Sequence, residues 1–212
     1  MIPSRFVIIA LVPALLILGI IFGIRVFQYR VLFSEPPPIP AQSLDLIPIL
    51  PNDPILGSRN APKTVIAFED FACEGCNAQH TLLNDLETKH PGKVKIIWKG
   101  LPVAIFPFTS QPAHEYAYCS NKQKKFDEFT KLTFTNANNL SKDTLENIIT
   151  ELGLNNDAFR TCLASGAGTA YIESIRTLAR AFHVQQVPTF FLDNVQISAP
   201  GSVEAWEVIL GL

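Results

Sequence analysis

One juxtaposition constrains this chain more than any other. Thr64 to Phe68 is a short apolar run bounded by Pro62, suited to a buried strand. After four intervening residues, Cys73-Glu74-Gly75-Cys76 opens a stretch of helical character that continues to about Lys89 and stops at Pro91-Gly92. A cysteine at a helix N-terminus meets unpaired N–H groups and the positive end of the macrodipole, and both favour a thiolate. A thiolate is the attacking nucleophile and the better leaving group in disulfide exchange. Two intervening residues set the sulfurs about one helical turn apart, close enough to bridge. Cys73 is the expected exposed attacker and Cys76 the expected buried resolving thiol. A zinc site would need two further ligands; His80 lies four residues after Cys76, and no fourth ligand is evident. Covalent haem needs histidine directly after the second cysteine, and Asn77 stands there. A purely structural disulfide is the remaining alternative.

The downstream pattern is that of an α/β domain with an insertion. Lys93 to Lys99 reads as a second strand, and Gln111 to Val184 as helical. Within that stretch Leu145, Ile148, Ile149 and Leu152 recur at helical spacing, as do Ile172, Ile175, Ala179 and Phe182 at related offsets. Thr189 to Leu192 reads as a strand, Val195 to Ser198 as its hairpin partner and Val203 to Leu210 as a closing helix. His90, His114 and His183 lack acid–base or ligand companions in sequence and read as surface or cap residues.

Upstream, Phe6 to Ile24 is a run of 19 residues without a charged or strongly polar side chain, with Arg5 before it and Arg25 and Arg30 after. That length matches a bilayer's hydrocarbon core, so residues 1–30 are expected to be a membrane anchor forming one transmembrane helix. A cleaved signal peptide is the rival, but the run exceeds a usual signal core and no small-x-small site follows. The flanking arginines balance, so orientation is left to the chemistry downstream. Closely spaced prolines from Pro36 to Pro54 mark residues 31–55 as an extended spacer, whose apolar residues could in part pack on the domain edge. The domain proper is expected over 56–212. A net charge of −2 offers no basic surface for nucleic acid.

Further residues carry a family resemblance. Ile55 to Pro62, then Val65-Ile66-Ala67-Phe68-Glu69-Asp70-Phe71-Ala72-Cys73, and Val187-Pro188-Thr189-Phe190-Phe191 near the end, resemble DsbA-like thioredoxin-fold proteins. Tyr118-Cys119, Lys125-Phe126 and Phe159-x-x-Cys162-Leu163 look like that family's inserted helical region. The resemblance covers residues 53–212. It implies a thioredoxin fold with a helical subdomain inserted at about 104–165, and a cis Val187–Pro188 peptide facing the cysteine pair. Lacking an N–H, Pro188 leaves the backbone of Val187 and Thr189 free to pair with an extended substrate. Two departures stand out. The family's buried glutamate six residues before the first cysteine is replaced by Ala67, with Glu69 on the same strand face. Glu74 and Gly75 replace the proline–histidine pair of strong oxidants, and Glu74 places a like charge beside the thiolate. Cys119 and Cys162 lie on helical sequence; in an oxidising compartment they most simply form a structural bridge, with two free buried thiols as the alternative.

The expected function is thiol–disulfide exchange through Cys73 and Cys76, introducing disulfides into cysteine-containing client proteins outside the cytoplasm. No cofactor and no metal is expected in the chain, so re-oxidation calls for a partner such as a membrane quinone-linked disulfide oxidase. The alternatives are reduction or isomerisation by the same pair and, from another class, a thioredoxin-like binding module or metallochaperone. No methionine-rich stretch favours copper.

Overall fold

The computed structural model describes residues 17–23, 25, 46–105 and 108–212. The chain divides into two compact units, Met1–Ser43 and Leu44–Leu212. Of the first, residues 17–23 are helical and exposed. The rest of the expected anchor over 1–30, and the spacer from 31 to 45, lie outside the described residues. Among the described residues no helix is long and apolar enough to cross a membrane.

The second unit is built on a five-stranded mixed sheet in the order β1-β3-β2-β4-β5. Strand β2 (Lys63–Glu69) is central, parallel to β3 (Val94–Gly100) and antiparallel to β4 (Thr189–Leu192). Its continuous run Val65-Ile66-Ala67-Phe68 is what burial on both faces requires. Strand β5 (Val195–Ile197) closes one edge as the hairpin partner of β4, and β1 (Ile55–Gly57) closes the other, antiparallel to β3. Between β2 and β3 runs α1 (Glu74–Lys89), which buries Cys76, Gln79, His80, Leu83 and Leu86 along one face. The closing helix α7 (Val203–Leu210) packs on α1 and sets Trp206 edge-on against Phe190 of β4.

The helical stretch resolves into five helices: α2 (Gln111–Lys122), α3 (Phe126–Thr135), α4 (Lys142–Glu151), α5 (Asn156–Ala164) and α6 (Ala167–Ala181). The breaks follow local chemistry. Ser141 and Asn155 accept from the backbone N–H groups of Thr144 and Ala158, and these caps start α4 and α5. Helix α2 is the hub, packing on α3, α5 and α6, and a disulfide joins its Cys119 to Cys162 of α5.

Residues 46–54 depart from the expected spacer: they belong to the domain. Ile47 is buried and its N–H donates to Asn194 Oδ1 at 2.8 Å. The fully buried Lys99 donates to Pro48 O at 2.8 Å and pairs with the Asp53 carboxylate, whose other oxygen accepts from the Tyr171 hydroxyl at 2.6 Å. Losing either partner of such a buried ion pair costs about 3–5 kcal/mol, so this clamp fixes the segment firmly. Prolines do not oppose it: Asp53 N–H closes a turn onto Leu50 O at 3.0 Å, and Pro54 needs only its carbonyl, which accepts from Trp98 N–H at 2.9 Å. Gly57 then turns the chain with φ +77; a Cβ there would lie 2.5 Å from Val94 O.

Candidate active site

Cys73 is the N-cap of α1. Its Sγ accepts from Cys76 N–H at 3.2 Å, and its carbonyl accepts from Asn77 N–H at 3.1 Å. The cap geometry turns a helix terminus into a thiolate site. Cys73 is half-buried, whereas Cys76 is sealed in the core, and both are free thiols. The Cys76 hydrogen bonds, first the side chain's and then the backbone N–H, outweigh burial and bring the Cys73 pKa down to about 7. Burial pushes the Cys76 thiol far up. The two sulfurs are thus chemically distinct: one available as an anion near neutral pH, the other a protonated reserve.

Opposite them, the Val187–Pro188 peptide is cis. Cys73 Sγ lies 3.6 Å from Val187 O, and Pro188 Cδ is 3.4 Å from where a Cβ on Gly75 would stand. The structure therefore brings Cys73, Gly75, Cys76, Val187 and Pro188 into one spot. Thr189 begins β4 beside Phe68, buried, with its hydroxyl donating to Gln186 O at 2.7 Å. Glu74 is exposed on the first turn of α1. The carboxylates that oppose a Cys73 thiolate are those of Asp70 and Glu69.

Asp70 organises the surrounding loops. Its backbone N–H lies 3.5 Å from Cys76 Sγ. Its carboxylate accepts from Ala72 N–H, from Val103 and Ala104 N–H at 2.7 and 2.9 Å, from Ser110 Oγ at 2.9 Å, and pairs with His114 Nε2 at 3.2 Å. Burial raises the carboxyl, but the His114 hydrogen bond and charge and the two loop N–H groups hold it well below the usual carboxylate range. This corrects the expectation for His114, which is buried and not a surface or cap residue. Its ring stacks on Trp98 at 5.3 Å, and only glycine fits at position 100, where a Cβ would lie 2.5 Å from His114 Nδ1. His90 does cap α1, its N–H donating to Leu86 O, and it bonds Glu207; His183 is exposed. Sequence reasoning missed the Asp70–His114 pair, because its members are 44 residues apart; the signal present was a second acidic residue at the end of an apolar strand. Among the described residues no group of three or more His, Cys, Asp or Glu side chains is arranged to hold a metal ion.

A family model described as thioredoxin matches residues 50–211. The chain belongs to the thioredoxin family. Its fold is that of DsbA-like thiol–disulfide oxidoreductases. A thioredoxin-like oxidoreductase from Silicibacter pomeroyi superposes with a TM-score of 0.67 at 19% identity, over 81% of this chain and 96% of that one. The thiol–disulfide exchange protein alpha-DsbA2 from Wolbachia pipientis does so with a TM-score of 0.64 at 19% identity, over 75% and 86%. The catalytic domain of Proteus mirabilis ScsC gives 0.61 at 18% identity, over 76% and 88%. At these identities the likeness is one of fold. Among curated proteins, the Na(+)/H(+) antiporters NhaA 3 of Salinispora tropica and NhaA 1 of Salinispora arenicola are 29% and 28% identical over 162 residues, 76% of this chain. The chain spans about a quarter of their length, 24% of each.

Proposed function

We propose that this chain is a thiol–disulfide oxidoreductase that passes a Cys73–Cys76 disulfide to cysteine-containing proteins outside the cytoplasm. The observation that carries the proposal is the Cys73 sulfur: half-exposed at a helix N-terminus, favoured as a thiolate near neutral pH, and facing the cis Val187–Pro188 peptide. In the first step a client thiolate attacks Cys73 Sγ and the Cys73–Cys76 bond breaks, leaving its electron pair on Cys76. The client's second thiolate then attacks its own bridged sulfur and releases Cys73 as a thiolate. The client loses two electrons and two protons, and the pair gains them. Val187 and Thr189 would align an extended client through backbone groups, with Pro188 shielding the sulfurs. The Cys119–Cys162 bridge would be structural and supports an oxidising compartment. In this reading residues 1–30 anchor the domain on the outer side of the cell membrane, and a quinone-linked membrane oxidase restores the disulfide.

The second reading, reduction or isomerisation, is favoured by the same pKa. A strong oxidant such as DsbA holds its thiolate near pKa 3.5 at a potential of about −120 mV, whereas thioredoxin sits near 7 and about −270 mV. Equilibration of the full chain with glutathione buffers separates the two. A potential above about −200 mV, with oxidation of a reduced client peptide, supports the oxidase reading. A potential near −270 mV, with turnover of insulin disulfides, supports the reductase reading. No equilibrium exchange at either ratio contradicts both.

A further inference from the structure

The backbone of Asp70 reaches both cysteines of the exchanging pair. Its N–H points at Cys76 Sγ across 3.5 Å, and its carbonyl accepts from Cys73 N–H at 3.1 Å. Asp70 and Cys76 are both fully buried. The Asp70 carboxylate closes the same turn, its Oδ1 accepting from Ala72 N–H at 3.2 Å. Phe71 plugs the turn from the apolar side, fully buried, with its ring 4.8 Å from His114 and 5.1 Å from Trp98. The other partners of the carboxylate come from beyond β3: Val103, Ala104 and Ser110 from the loop, and His114 from α2. Next to them Leu101 N–H donates to Glu69 O at 2.8 Å, so the backbone on the other side of Asp70 is held as well. A buried ion pair adds little net stability over an apolar replacement, so one set between two redox cysteines calls for another reason.

We propose that Asp70 is a positioning residue of the exchange reaction: its anchored carboxylate holds its own N–H where negative charge develops on the leaving Cys76 sulfur. The inference rests on the exchange reaction proposed above. As the client thiolate bonds to Cys73 Sγ, the Cys73–Cys76 bond breaks and its electron pair goes to Cys76 Sγ. Around that sulfur, burial and then the Cys73 hydrogen bond oppose ionisation, and the Asp70 N–H acts in the opposite direction. A hydrogen bond to a charged acceptor is stronger than one to a neutral acceptor. A donor already aimed at the sulfur therefore favours the transition state over the intact disulfide.

The client's second thiol then gives up its proton, bonds to the client sulfur held on Cys73, and releases Cys73 as a thiolate. The proton it gives up ends on Cys76. One thiolate and one thiol enter, and one thiolate and one thiol remain, so charge and protons balance without a proton from the protein. Asp70 itself transfers none. Burial raises its carboxyl, but His114 and the loop N–H groups hold it well below the usual carboxylate range, so it stays ionised throughout. Its part is geometric. The carboxylate ties the turn to the loop beyond β3, and the turn aims the N–H.

The test compares two reactions of the full chain, for wild type and Asp70→Asn. One is single-turnover oxidation of a reduced two-cysteine peptide by the Cys73–Cys76 disulfide; the other is iodoacetamide alkylation of Cys73 in the reduced protein. Asparagine keeps the size but turns an NH2 group towards partners that are themselves donors, so the anchor is lost. Losing a hydrogen bond to a charged group should slow the exchange by about 10- to 100-fold. Alkylation should hold or rise, because the Asp70 charge opposes the Cys73 thiolate. Equal slowing of both reactions, the mark of a loosened cap at Cys73, overturns the inference, as does a wild-type exchange rate in the variant. No exchange by the wild type overturns the exchange reaction as well. If Asp70→Asn does not fold, Ser110→Ala replaces it and removes one donor from the same carboxylate. Slower exchange at an unchanged alkylation rate then supports the inference, and unchanged exchange overturns it.

Discussion

Two cysteine pairs sit in one domain and differ in nearly every respect that governs sulfur chemistry. Cys73 and Cys76 are one helical turn apart, with the first sulfur capping α1 and reachable from solvent. Cys119 and Cys162 are separated by 43 residues, tie α2 to α5, and bury the first sulfur completely. Cys119 and Cys162 lie within α2 and α5, whereas Cys73 caps the N-terminus of α1 and faces Val187 O. In the proposed exchange reaction, what surrounds the sulfur sets its part: an N-terminal helix turn and partial exposure suit an exchanging pair, and a helix–helix interface suits a staple.

The comparison can be broken most readily by mutation. Cys73→Ser should lower disulfide exchange with a peptide substrate by about 10³-fold or more, since no other thiolate is reachable. Cys76→Ala should instead accumulate mixed disulfides on Cys73, visible on non-reducing gels. The double variant Cys119→Ala/Cys162→Ala should leave the exchange rate within about twofold, the tolerance for uncoupled sites. It should, however, lose about 4 kcal/mol of stability by the chain-entropy argument for a loop spanning 43 residues, measured by urea denaturation. A comparable loss of exchange in the double variant would erase the distinction between the pairs.

Smaller effects sharpen it. The thiolate is the reactive form, and the Cys73 pKa is lowered to about 7 from the ordinary 9.0, so its alkylation rate should rise about tenfold per pH unit below 7 and level off above 8. An unshifted thiol would be only about 1% ionised at pH 7 and would still be accelerating at pH 8.5. Least of all is expected from Glu74→His. Glu74 is exposed and screened by solvent, so exchanging its charge should lower the Cys73 pKa by about 0.3 units. A fall of a full unit by thiolate absorbance would make Glu74, rather than the Cys76 hydrogen bonds, the main control of the Cys73 pKa.

The parts legible in the sequence were those written locally. The unbroken apolar run of β2 and the helical spacing of Leu145, Ile148 and Ile149 in α4 each announce an element from a few adjacent residues. The cysteine turn was legible for the same reason, its chemistry lying in four consecutive positions. What escaped was built from distant partners. Asp53, Lys99 and Tyr171 read separately as ordinary polar residues, and only the fold assembles them into the clamp that draws residues 46–54 into the domain. Pro48, Pro51 and Pro54 in that stretch fit a free spacer and a segment packed on the domain equally well. His114 looked solitary because its partner, Asp70, arrives from β2, and Glu69 gave no hint in sequence that His80 lies beneath it.

The most direct test of the central claim follows all four cysteines in one titration. The full chain is equilibrated across a series of reduced-to-oxidised glutathione ratios, quenched with alkylating agent and mapped by mass spectrometry. Cys73 and Cys76 should pass together from dithiol to disulfide as the ratio changes, while Cys119 and Cys162 stay bridged throughout. Reduction of Cys119–Cys162 at the same ratio, or a Cys73–Cys76 pair that does not respond, would contradict the account.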